Sequence, residues 1–203
     1  MYGIHKWGKG YFDVSETGEV VLSIENTDPP CSVNMMDIVA GFQDRGLDMP
    51  VLLRCSNILA SRIELIHTRF KKAIDKAGYK GTYQGVYPIK VNQQQHVVEE
   101  IIQCGARFHH GLEAGSKGEL IATLAYVTDP KALIICNGYK DGEFVDLALY
   151  GQKMGLQTVL VLEMPSELPL ILERAKKMEV QPLLGIRAKA DDAGRRVLGK
   201  LGQ

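Results

Sequence analysis

From Gly85 onward, short apolar runs alternate with helical stripes at nearly constant spacing. The runs 85–90, 108–111, 132–137, 157–162 and 182–187 predict five strands whose starts lie 23, 24, 25 and 25 residues apart. Each interval accommodates one strand, one helix of about three turns and two short loops. Strands that alternate with helices in this way predict a parallel sheet. The helices carry end signals. Ser116 and Glu119 form a capping box ahead of Leu120, Ile121 and Leu124. Asp141 is placed to cap a helix over 144–154, which Gly155 closes, and Ser166 precedes Leu168, Ile171, Leu172 and Ala175 with Pro169 in the tolerant first turn. Upstream, Leu59, Ile63, Ile66, Phe70 and Ile74 form one stripe of a helix over 56–77, closed by Gly78. The strand-like 51–54 before it predicts a sixth unit outside the regular series.

Residues 1–49 have another character. The runs 11–14 and 20–24 flank a turn at Glu16, Thr17 and Gly18, which predicts a β-hairpin. Asp28-Pro29-Pro30 is loop chemistry, and 33–42 is a short helix candidate. The chain therefore divides into a β lead-in, 1–49, and an α/β body, 50–203.

Lys plus Arg and Asp plus Glu both number 24, so no basic excess points to nucleic acid or to an anionic membrane surface. Hydrophobic residues at 45% and charged ones at 24% are those of a globular protein, which removes disordered and fibrous classes. No apolar run approaches the ~18 residues of a membrane span, and Met1–Gly10 lacks an apolar signal core, so a cytoplasmic location is expected. Cys31, Cys55, Cys104 and Cys136 lie 24, 49 and 32 residues apart, matching neither a zinc ligand pair nor a disulfide framework, and read as small buried hydrophobes. No metal-ligand spacing is present.

Five regular units pose a counting question. An open doubly wound sheet can stop at five strands, whereas a closed (β/α)8 barrel needs eight and about 250 residues. The polar residues 191–203 end inside what should be a βα loop, so the chain reads as cut short.

The chemistry lies at the strand ends. Lys90 ends the first run, where α/β proteins assemble their sites. Desolvation there would favour the neutral amine that attacks a carbonyl, although a strand-end lysine reaching solvent fits the spacing equally. Glu113 lies just past the second strand, either as a rim carboxylate beside Lys90 or as a partner of Ser116 at the next helix N-terminus. Asn137 and Glu163 end the third and fourth strands, and Arg187 puts a guanidinium suited to phosphate or carboxylate on the fifth. Lys, Glu, Asn, Glu and Arg at five successive strand ends exceed what a purely structural sheet requires. His109 and His110 read as packing or hydrogen-bonding residues.

Four segments resemble a known family. They are Trp7-Gly-Lys-Gly-Tyr-Phe-Asp-Val14, Val86-Tyr-Pro-Ile-Lys-Val-Asn-Gln93, Gly111-Leu-Glu-Ala-Gly-Ser-Lys117 and Cys136-Asn-Gly-Tyr-Lys-Asp141. All four are similar to the N-terminal part of the biosynthetic arginine decarboxylases, in register from about residue 5 to 190. The resemblance implies an alanine racemase-like fold, a (β/α)8 TIM barrel plus a β-sandwich domain to which the N-terminal strands belong, with about five βα units in this chain. It implies that Lys90 holds pyridoxal 5'-phosphate covalently, that Glu113, Asn137 and Arg187 lie by the cofactor, and that Lys90 and Glu113 are catalytic. L-arginine is the implied substrate and agmatine and CO2 the products, in polyamine and spermidine biosynthesis. Homo-oligomers with shared sites and a use of Mg2+ are implied as well. The chain departs from the family after Ala190, and it contains no Gly-Gly pair where relatives cup the cofactor phosphate. The expectation is therefore a fragment of such an enzyme, inactive alone. The alternatives are another basic amino acid decarboxylase of the superfamily or a non-catalytic cofactor-binding or regulatory homologue.

Overall fold

The computed structural model describes residues 3–24 and 31–187. The chain forms two compact units, Met1–Thr68 and Arg69–Gln203.

In the first unit, helix α1 (Ile4–Trp7) precedes strands β1 (Phe12–Val14), β2 (Val20–Ile24) and β3 (Cys31–Asn34), which form an antiparallel sheet in the order β1-β2-β3. The predicted hairpin is present, with Phe12 opposite Leu22 and Gly18 at φ 86° in its turn. The third strand was not predicted, because Cys31–Asn34 is only four residues long and follows two prolines. The helix candidate at 33–42 starts later, as α2 (Met35–Asp44), because the Asn34 side chain accepts from Met36 N at 2.8 Å and sets the boundary there. Residues 51–54 form no strand. Their backbone is irregular, and Leu52 stays 76% exposed. Helix α3 (Ser56–Ala77) follows with the predicted bounds.

The second unit contains strands β4 (Val86–Pro88), β5 (Gly111–Ala114), β6 (Leu133–Cys136), β7 (Gln157–Leu162) and β8 (Leu183–Ile186). Helices α4 (Gln95–Gly105), α5 (Lys117–Tyr126), α6 (Gly142–Lys153) and α7 (Glu167–Met178) connect them. All neighbouring strands are parallel, in the order β4-β5-β6-β7-β8. An order that never reverses is the wall of a (β/α)8-type barrel, since a doubly wound sheet has a switch point where the order turns back.

Strand periodicity assigns the two faces. Leu112, Ile134 and Thr158 form one row in register, and Ala114, Cys136 and Leu160 the next. These residues pack with Leu120 of α5, Phe144, Val145, Ala148 and Leu149 of α6, and Ile171 of α7 in one buried core. Thr158 confirms the direction, since its Oγ1 donates to Ala148 O at 2.6 Å. The intervening residues, Glu113 and Ile135 among them, face away from the helix layer.

Strand β5 starts where its predicted run ended. The end of α4 continues into a 3-10 turn over Ala106–Phe108, His109 adopts φ 53°, and His110 N donates to Gly105 O at 3.1 Å. Phe108, His109 and His110 are consumed in closing that helix, so the strand begins at Gly111. A Cβ at Gly111 would collide with the backbone of Leu133 on the next strand, so the start of β5 requires glycine. His109 Nδ1 lies 2.6 Å from Asp129 Oδ2, the hydrogen-bonding role expected of it.

Cys136 is fully buried and its thiol is pushed up to about 12 by desolvation, so it is inert core. Cys55 and Cys104 are only partly buried, short of the expectation for them. Among the described residues, no helix is long and apolar enough to cross a membrane.

Candidate cofactor site at the strand ends

The site residues lie where the parallel strands end. Pro88 terminates β4 and the chain tightens into a 3-10 turn over Ile89–Val91, so Lys90 lies two residues beyond the strand rather than at its last position. Ile89, 2% exposed, anchors the turn in the core. Asn92 braces its far side, accepting from Tyr87 Oη at 3.3 Å through its carbonyl and from Gln94 N at 3.1 Å through its side chain. Lys90 itself is exposed, and its amine has no hydrogen-bond or ion-pair partner among the described residues.

Glu113 lies within β5, opposite Pro88 and Ile135, and is buried at 6% exposure. Its Oε1 accepts from Asn137 Nδ2 at 3.1 Å. It does not serve the next helix. Ser116 Oγ accepts from Glu119 N at 3.3 Å, and Glu119 Oε2 reaches back one residue beyond the predicted box to accept from Gly115 N at 2.7 Å, so the N-terminus of α5 is capped without it.

Asn137 follows β6, and its N–H donates to Ala114 O at 2.9 Å. Gly138 then turns with φ 78°, and a Cβ there would stand 2.5 Å from Gly115 O, so this loop lies against the β5 loop only with glycine. Gly138 N donates to Glu163 Oε1 at 3.2 Å, and the same oxygen lies 3.4 Å from Arg187 Nη2. Gly138, Tyr139, Glu163 and Met164 line an open pocket of about 280 Å3. The structure thus links Glu113 with Asn137 directly, and Arg187 with the Asn137 loop through Glu163, while Lys90 stands on the neighbouring strand end.

Two residues of the site escaped sequence reasoning. Lys140 and Glu167 form a buried pair, Nζ to Oε2 at 3.4 Å, with side chains 0% and 4% exposed. Their separation of 27 residues follows no local periodicity. The weak signal available was a carboxylate at the first residue of α7, two loops from a lysine beside Gly138.

Lys117 is engaged elsewhere. Its ammonium donates to Asp141 Oδ2 at 2.8 Å and to Glu143 Oε2 at 2.7 Å, which raises its pKa above the ordinary 10.5. Asp141, which caps α6 by accepting from Phe144 N at 2.9 Å, is correspondingly held below the ordinary 3.8, first by the Lys117 hydrogen bond and then by that cap. A depressed carboxyl contributes stability that is present above its unfolded value and lost as pH falls through the folded one. Asp141→Asn keeps a cap acceptor and removes the charge. It is expected to flatten the fall of melting temperature on acidification below pH 3.8, read by thermal unfolding across pH.

The barrel wall thus carries a free lysine, a buried carboxylate, an amide, a second carboxylate and a guanidinium at the ends of its five successive strands. The family model for the pyridoxal binding domain of pyridoxal-dependent decarboxylases matches residues 60–199, and the chain belongs to that family. It is 44% identical over 93% of its length to the biosynthetic arginine decarboxylase of Synechococcus sp. (strain RCC307), and 45% identical over 96% to that of Gloeobacter violaceus. The crystal structure of the biosynthetic arginine decarboxylase from Campylobacter jejuni superposes with a TM-score of 0.80 at 35% identity over 91% of this chain. The chain spans 29% and 30% of the two curated relatives and 30% of the crystallised chain.

Proposed function

We propose that this chain supplies the cofactor-bearing part of a pyridoxal-phosphate-dependent arginine decarboxylase, which converts L-arginine to agmatine and CO2. One observation supports the reading above the others. Of the three lysines at the strand ends, Lys117 is held by two carboxylates and Lys140 is buried against Glu167, whereas the amine of Lys90 is exposed and unengaged. An amine that must bond to an aldehyde has to be free to do so.

The residues present fit the group. Lys90 would hold pyridoxal phosphate covalently, Glu113, fixed by Asn137, would offer it a buried carboxylate, and Arg187 has the guanidinium suited to an anionic substituent. When bound, pyridoxal phosphate supplies an electron sink for loss of the substrate carboxylate. Lys90 Nζ would be the covalent anchor of the group and, when not so bound, would carry a proton at the reacting centre. Glu113 Oε1 orients the Asn137 amide and places negative charge inside the wall. Among the described residues no three His, Cys, Asp or Glu side chains converge on one point, so no step is assigned to Mg2+. A cytoplasmic role in polyamine and spermidine biosynthesis, and a homo-oligomer with shared sites, belong to the same reading and rest on the family likeness.

Borohydride reduction of the intact protein with pyridoxal phosphate is expected to leave the pyridoxyl label on Lys90, and CO2 release is expected from L-arginine in preference to L-ornithine, L-lysine and meso-diaminopimelate. A label on Lys117 or Lys140 would overturn the site. Comparable turnover of diaminopimelate would make the chain part of a sister decarboxylase.

A further inference from the structure

The proposed chemistry uses neither Lys140 nor Glu167, although both are charged and buried. A buried ion pair adds little net stability, because desolvation offsets its attraction. Its contacts show where its effect goes. Glu167 Oε1 accepts from Lys140 N at 3.2 Å, in the loop after β6, and Oε2 accepts from Glu163 N at 2.9 Å, in the loop after β7. One carboxylate therefore bridges the backbones of two strand-end loops. Lys140 Nζ lies 3.4 Å from Oε2 and donates to Gly138 O at 2.7 Å, so the ammonium closes the β6 loop upon itself.

Both anchored loops carry site residues. The loop after β6 presents Asn137, which holds Glu113, and Gly138, whose N–H meets Glu163 Oε1. The loop after β7 presents Glu163, which pairs with Arg187. We propose that Lys140 and Glu167 are positioning residues of the cofactor site: the buried pair fixes the spacing of these two loops, and with it the placement of Asn137 and Glu163 and of the Glu113 and Arg187 groups they hold. The proposal rests on the reading of the site given above and extends it to two residues that do not touch the cofactor.

The test compares the intact wild-type protein with two variants. Glu167→Gln leaves one acceptor where the carboxylate had two, and Lys140→Arg keeps the charge while moving the donor. Three quantities are read on each: amide hydrogen exchange at Gly138, the dissociation constant for pyridoxal phosphate, and the melting temperature. Positioning predicts that Gly138 exchange and the dissociation constant both rise by about tenfold, the size of a typical coupling between residues in one network. The reduced label should remain on Lys90. A lower melting temperature with both other quantities unchanged would show a structural role alone and overturn the proposal. Should Glu167→Gln not fold, Lys140→Arg carries the same readouts. A wild-type protein unlabelled at Lys90 would instead remove the reading of the site, and Gly138 exchange would still decide whether the pair holds the loops.

Discussion

Lys90→Ala is expected to lower decarboxylation by the intact protein roughly 10²- to 10⁴-fold, the range for losing a positioned proton-transfer group. The same change should move folding stability by no more than about 0.5 kcal/mol, because it removes an exposed side chain outside any packed or paired feature. Ile89 holds the turn from the core side and Asn92 from the other, and neither contact passes through the Lys90 side chain. Function and stability should therefore separate at this position, as CO2 release and thermal unfolding on one preparation would show. A folded variant that keeps the borohydride-fixed label elsewhere would sink the assignment. So would a large fall in melting temperature, which would make Lys90 a structural residue.

The separation also shows what made the site legible. Three of the five runs are followed by a helix with its own start signal, and of those signals Ser116 and Asp141 cap their helices in the structure, whereas Ser166 makes no side-chain cap. The β7 run keeps its predicted bounds, since Gln157–Leu162 is the longest strand among the described residues and alternates between the helix layer and the opposite face. The β5 run slipped by three residues because Phe108 and the two histidines look like strand residues, yet serve to close α4. That slip mattered for function. It moved Glu113 from a loop, where it could have been a cap, into the sheet, where its partner is an amide on the next strand end.

What stayed hidden was connection rather than identity. Lys90, Glu113, Asn137 and Arg187 were each visible as polar residues ending apolar runs, but nothing local says that Glu163 joins Gly138 to Arg187. The third strand of the N-terminal sheet was hidden for a related reason. Cys31–Asn34 becomes a strand by pairing with β2, from Val21 opposite Asn34 to Ile24 opposite Cys31, and a pairing between short segments leaves little trace in either one.

The hidden pair gives the largest expected effect on stability. Lys140→Met leaves the Glu167 carboxylate buried without its counter-charge, and removing one member of a buried pair costs about 3–5 kcal/mol. For a chain of this size that corresponds to a fall of roughly 6–20 °C in melting temperature. The double variant Lys140→Met with Glu167→Gln removes both charges. The glutamine oxygen can still accept from one of the two backbone N–H groups of Lys140 and Glu163, leaving one of them without an acceptor. A stranded N–H costs about 1–3 kcal/mol, so the double variant should be more stable than Lys140→Met although it carries one more substitution. The order of melting temperatures, wild type above the double variant above Lys140→Met, is the diagnostic. Losses that simply add would show that the two charges do not depend on each other, and the ion pair would then cease to explain why this lysine lies buried beneath the Gly138 carbonyl.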